Sequence, residues 1–121
     1  MQKKKGGVTM KKVLIGVSLV VFFLNLTGTA IAAGAEIWAK KCALCHGKDG
    51  KGTTKMCEKL KCRDLTNPKV QEGFTDDQAA KSIIEGVKDS SGKIVMPPYK
   101  GKLTAEEVKE IVKFLRTLKG K

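Results

Sequence analysis

The chain is poor in most of what catalytic and nucleic-acid-binding proteins draw on. Its 121 residues hold a single histidine, His46, so no site here can pair two imidazoles, one as acid and one as base. Only six residues are aromatic, without the basic-aromatic interleaving of a nucleic-acid surface. Acidic residues number 12 against 24 Lys and Arg, a net charge of +12. That excess favours acidic partners, although most of it reads as a solvated lysine coat. No apolar run reaches the roughly 20 residues of a membrane-spanning helix. No stretch alternates apolar and polar residues as a half-buried strand does, and no internal repeat or low-complexity segment is present.

What is there begins with a leader. Lys3, Lys4, Lys5, Lys11 and Lys12 precede a 14-residue run, Val13 to Leu26, that is apolar apart from Gly16, Ser18 and Asn25. Ala30-Ile31-Ala32 then supplies a small-x-small cleavage pattern, and the three parts together make a secretory signal peptide. Residues 1–32 are expected to be removed, with cleavage after Ala35 as the second choice, leaving 33–121 as one domain. Met10-Lys11-Lys12 would also serve as a start. The leader's five lysines leave 19 basic residues against 12 acidic ones, +7 over 89 residues. The mature protein is expected outside the cytoplasm, in a periplasm or its equivalent and off the membrane, where four cysteines can form thioethers or a disulfide.

The chemistry sits at Cys42-Ala43-Leu44-Cys45-His46. On a helix, positions i, i+3 and i+4 share one face about a turn apart. Two thiols so placed can add to the two vinyl groups on one edge of a haem, with the histidine beneath the iron, and Cys-x-x-Cys-His is a signal for c-type haem attachment. The pentapeptide alone also admits a chance match, a thiol redox pair or half of a zinc site built from Cys42, Cys45, Cys57 and Cys62. Export, the histidine directly after Cys45 and the loop around Met96 all lower the zinc reading. Met96 is the candidate for the iron's other face. Its thioether is a soft neutral ligand, His/Met ligation raises the potential, and Pro97 and Pro98 stiffen the loop. Met56 is a weaker rival, and the plain alternative is that Met96 fills core space.

Around these residues the pattern is helical. Ala35 to Ala43 carries Ile37, Trp38, Cys42 and Cys45 on a rough apolar stripe, with Trp38 read as packing and Gly34 as a place where another helix can come close. Gly47 to Lys55 is a glycine-rich loop, and it lacks the strand and the Gly-Lys-Ser/Thr ending of a phosphate loop. Thr75-Asp76-Asp77-Gln78 and Thr104-Ala105-Glu106-Glu107 are capping boxes that start two further helices. The second is strongly amphipathic through Val108, Ile111, Val112, Leu115 and Leu118, with Phe114 at the edge of its stripe, where it could meet Trp38 or Gly34. The fold class is all-α with loops.

Taken together, Cys42-Ala43-Leu44-Cys45-His46-Gly47, the Gly/Lys loop, and Met96-Pro97-Pro98-Tyr99 before the Thr104 helix resemble a small bacterial class I c-type cytochrome, over nearly all of Gly34 to Leu118. The resemblance implies a cytochrome c fold whose first and last helices cross, with Gly34 and Trp38 against Phe114. It implies one covalent haem c on Cys42 and Cys45, His46 as proximal and Met96 as distal ligand, and single-electron transfer between larger redox proteins. Two features depart from the family pattern. Members often carry a proline just before the Asp-Leu found here at Asp64-Leu65, and its backbone supports the proximal histidine. Arg63 stands there instead, which puts that support in question, while a backbone carbonyl could still accept from the histidine's second ring nitrogen. Cys57 and Cys62 are extra. They are open to three readings: a short disulfide, an iron ligand that displaces or competes with Met96, or free or intermolecular thiols.

An exported electron carrier, and no enzyme, is therefore expected. Lys48, Lys51, Lys55, Lys93, Lys100 and Lys102 would steer it, as a monomer or small oligomer, to redox proteins with acidic docking faces. The alternative is a thiolate-ligated haem protein that binds a small gas. Peroxidase chemistry is disfavoured, because no second histidine is available as its acid/base.

Overall fold

The computed structural model describes the backbone of residues 26–121 and side chains from 29 onward, so most of the leader lies outside the described residues. The elements are α1 (Leu26–Lys41), α2 (Ala43–His46), α3 (Lys55–Leu60), α4 (Pro68–Glu72), α5 (Asp76–Glu85), β1 (Val87–Lys88), β2 (Ile94–Met96) and α6 (Ala105–Thr117). Among the described residues no helix is long and apolar enough to cross a membrane.

Both capping boxes form. The Thr104 hydroxyl accepts from the Glu107 N–H at 3.1 Å, and the Glu107 carboxylate accepts from the Thr104 N–H at 2.7 Å. Thr75 and Gln78 make the same reciprocal pair at the start of α5. Each box satisfies two N–H groups that a helix start otherwise leaves without partners. The apolar stripe of α6 is buried at Val108, Ile111, Val112 and Leu115, and Leu118 just past its end joins them.

Helix α1 crosses α6, and Gly34 makes the crossing close. A Cβ there would overlap the Glu110 carbonyl oxygen and come to 2.9 Å from the Phe114 Cβ. Trp38, one turn later, is 3% exposed and packs its ring against Phe114 at 5.6 Å. The other side of α6 is tied down by Arg116. Its guanidinium donates to Asp76 (2.7 Å), to the Gln71 carbonyl (2.7 Å) and to the Phe74 carbonyl (2.8 Å), and it lies 4.6 Å from the Phe74 ring centre. Gln71 is itself buried and donates to the carbonyls of Leu65 and Leu115. A buried amide with its partners in place locks the α4 segment to α6 at little net cost.

Three details differ from the sequence reading. α1 begins at Leu26, well before Ala35. α3 and α4 are single turns, capped by Thr54 and by Asn67 with Pro68 in the first position. Finally, β1 and β2 form an antiparallel ribbon in a fold that is otherwise helical, with Val87 opposite Met96 and a bulge beside Val87 and Lys88. Its turn is held by the Asp89 carboxylate, which accepts from the Ser91 and Lys93 N–H groups, and by Gly92 at φ +83°.

Helix propensity alone would make Gly34→Ala stabilising by roughly 1 kcal/mol. The contact with the Glu110 carbonyl reverses the sign. Gly34→Ala is expected to lower stability by about 1–3 kcal/mol, read as a lowered denaturant midpoint at unchanged slope.

Candidate metal centre

Helix α1 does not stop cleanly at Lys41. The Cys42 N–H still donates to the Trp38 carbonyl at 2.9 Å, and the Cys42 carbonyl then accepts from the N–H groups of Cys45 and His46 at 3.2 and 2.9 Å. Cys42, Cys45 and His46 therefore share one turn. Gly47 ends it at φ +81°, a left-handed conformation that suits glycine. The loop that follows folds back on the motif. The Trp38 indole N–H donates to the Gly47 carbonyl at 3.0 Å, the Thr54 hydroxyl to the Cys45 carbonyl, and the Gly52 N–H to the His46 carbonyl at 3.0 Å.

Cys42 and Cys45 are free thiols and half-buried. Burial, with the Cys45 sulfur adding to it, pushes the Cys42 thiol up to about 11. Burial lowers the His46 pKa, so the imidazole stays neutral with a lone pair to donate. The His46 and Trp38 ring centres lie 5.6 Å apart. The His46 Nδ1 is buried and has no hydrogen-bond partner among the described residues. Arg63 offers it none. Its carbonyl lies against Gly52, 3.2 Å from where a Cβ would stand.

Cys57 and Cys62 are joined by a disulfide, with their Cα atoms 4.8 Å apart. The turn between them closes through Lys61, which is left-handed at φ +54°. A ring nitrogen of His46 and both sulfurs all lie within 4.8 Å of one another. The thiolate-ligated and four-cysteine zinc readings each require free thiols at these positions, and the disulfide leaves none.

Met96 ends β2 and lines the same cleft as Cys42 and His46. The cleft holds about 230 Å³ and opens to solvent at its mouth. Its walls are largely apolar, including Leu65, Ile83, Ile111 and Leu115. The Met96 loop sits backbone to backbone on the end of α5. At Gly86, φ +76°, a Cβ would stand 2.6 Å from the Met96 carbonyl oxygen and 2.9 Å from the Pro98 nitrogen. The N–H groups of Tyr99 and Lys100 donate to the carbonyls of Ile83 and Ile84, each at 3.0 Å. The Tyr99 hydroxyl donates to the Lys41 carbonyl at 2.8 Å, next to Cys42. Burial, then the two motif cysteines, raises the Tyr99 pKa and keeps that donor protonated. Neither Gly86 nor Tyr99 was singled out from sequence, because their partners lie 10 and 58 residues away.

An imidazole, a thioether and the Cys42 thiol line one apolar cleft, with Cys45 on the same turn as Cys42 and His46, and this set fits a covalently held haem. The orphaned Nδ1 also fits, since its burial leaves Nε2 as the ring nitrogen for the cleft. The six lysines of the docking expectation are all exposed.

Known proteins agree with this geometry. Residues 29–115 match the family described as Cytochrome C oxidase, cbb3-type, subunit III. Cytochrome c6 of Thermostichus vulcanus is 31% identical over 88% of this chain and 91% of its own length. The cytochrome c subunit of alcohol dehydrogenase (quinone) from Gluconacetobacter polyoxogenes is 27% identical over 76% of this chain, which spans only 20% of that protein. Among solved structures, the KustC0563 c-type cytochrome superposes with a TM-score of 0.62 at 34% identity, over 71% of this chain and 96% of that one.

The two ties on the Met96 loop should differ in worth. Gly86→Ala, which adds a clash to a left-handed backbone, is expected to cost about 2–3 kcal/mol of unfolding free energy. Tyr99→Phe, which removes one hydrogen bond, is expected to cost about 1 kcal/mol. Chemical denaturation of both variants checks the order.

Proposed function

The chain belongs to the cytochrome c family matched by the cbb3-type subunit III profile, and we propose that it is a small electron carrier working outside the cytoplasm. The family's covalent haem c supplies a one-electron ferric/ferrous couple. Cys42 and Cys45 would carry its two thioethers. His46 Nε2 and the Met96 sulfur would be the protein ligands to its iron. The observation that carries this reading is that Cys42, His46 and Met96 line a single apolar cleft. Side chains that supply both protein ligands would favour a carrier over an enzyme. A neutral, buried His46 is ready to ligate without first losing a proton.

The location is supported by the leader and by the disulfide, which suits an oxidising compartment. Cleavage after Ala32 keeps Gly34 at the α1–α6 crossing, whereas cleavage after Ala35 removes it. Packing therefore favours the first site. Partners would be larger redox proteins with acidic faces, met by the exposed lysines. The quinone-dependent alcohol dehydrogenase subunit shows one setting in which such a domain occurs, within a much longer chain.

The ligand assignment is tested by visible and near-infrared spectra with carbon monoxide as probe. Wild-type ferrous protein should show a c-type spectrum and resist carbon monoxide, and its ferric form should show the weak far-red band of iron–methionine sulfur. Met96→Ala should keep the haem attached, lose that band and bind carbon monoxide readily. A wild-type protein that takes up carbon monoxide as fast as the variant would remove Met96 from the iron. An intact mass for the exported protein that begins at Ala33 would support the cleavage site, and one that begins at Glu36 would move it.

A further inference from the structure

A histidine that ligates a metal through one nitrogen ordinarily donates its other N–H to a carboxylate, carbonyl or water, which raises its basicity. His46 has no such partner. Its Nδ1 is buried and unpaired among the described residues, and the Arg63 carbonyl, 3.2 Å from where a Gly52 Cβ would stand, makes no hydrogen bond to it. What stands near the ring is sulfur. A ring nitrogen lies within 4.8 Å of both Cys57 and Cys62 Sγ, and Cys57 is only 2% exposed. Gly52 closes the same pocket, since a Cβ on it would stand 3.6 Å from the Cys57 sulfur.

We propose that the Cys57–Cys62 disulfide occupies the place of the missing acceptor behind His46 and thereby sets the electron affinity of the centre. Cys57 and Cys62 are on this reading positioning residues that act through His46, and the inference rests on His46 as an iron ligand. Two physical effects run together. Sulfur is a weak acceptor, so an Nδ1–H that faces it gives up little charge and the imidazole remains a poorer donor to iron than one backed by oxygen. A poorer donor favours the ferrous state. The cross-link also fixes the chain directly before Arg63, so the carbonyl that could compete for Nδ1 stays where it is.

The test uses the haem-loaded protein. His46 is the chain's only histidine, so ¹⁵N-histidine labelling reports one imidazole. In the ferrous wild type, the Nδ1–H should show nuclear Overhauser contacts to the β-protons of Cys57 and Cys62. Two double variants then separate acceptor from cross-link. Cys57→Ser with Cys62→Ser places hydroxyl oxygens behind the ring, and Cys57→Ala with Cys62→Ala opens the loop with no acceptor added. The serine pair should shift the midpoint potential below that of the alanine pair and move the Nδ1–H resonance downfield. Equal potentials in the two pairs, or wild-type contacts from Nδ1–H to some other segment, would overturn the proposal. If neither pair takes up haem, the wild-type contacts alone decide. A wild-type protein without a low-spin, histidine-ligated ferrous spectrum would instead defeat the functional reading, and that is seen before any variant is made.

Discussion

The cleft depends on one backbone contact, the approach of Gly34 in α1 to the Glu110 carbonyl in α6. Gly34, Trp38, Cys42 and His46 follow one another at intervals of four, so they form a single ridge running from α1 into α2. Ridges of this spacing are what helices use to pack against one another. When Gly34 seats α1 on α6, Trp38 is pressed against Phe114 and Cys42 and His46 are delivered to the cleft. Any side chain at position 34 would lift the whole ridge, and with it Cys42 and His46.

The two sides of the cleft are built differently. The His46 side is local. It is closed by hydrogen bonds from Trp38, Gly52 and Thr54 onto the motif's own backbone, and by a disulfide spanning five positions. The Met96 side is assembled from distant parts, with Gly86 beneath the loop, Ile83 and Ile84 as acceptors, and Tyr99 reaching back to Lys41. Each such bond contributes only about 1 kcal/mol net. The Met96 side should therefore be the first to open in local fluctuations, while the histidine side stays closed. The Met96 sulfur should then leave the cleft before the fold is lost.

How much was legible in the sequence follows from the same distinction. Both capping boxes, the shared turn of Cys42, Cys45 and His46, and the approach at Gly34 were readable, because each depends on residues a few positions apart or on one residue's lack of a side chain. α3 and α4 were not, since a single turn shows no apolar stripe. The ribbon was missed because strands of two and three residues are too short to alternate. The early start of α1 was masked by the apolar leader that runs into it. Spacing left the extra cysteines open between a bond and an iron ligand, and only the fold brings their sulfurs together. Arg63 stood out as a departure, yet its consequence, a histidine nitrogen without an acceptor, needed three dimensions to appear.

Charge on the folded chain is less uniform than the composition implies. The four ion pairs among the described residues join Glu85 to Lys81, Glu106 to Lys109, Asp76 to Arg116 and Glu72 to Lys119. All eight partners belong to the α4, α5 and α6 regions. Asp76 and Glu106 also sit in first turns, where the helix end favours a negative charge. Lys48, in the loop after the motif, Lys55, at the start of α3, and Lys100 and Lys102, after the Met96 loop, enter none of these pairs. Four of the twelve acidic residues are thus paired, while these lysines next to the 42–46 and Met96 segments enter no such pair. If these lysines meet an acidic partner surface, as proposed, the attraction between them falls as salt rises.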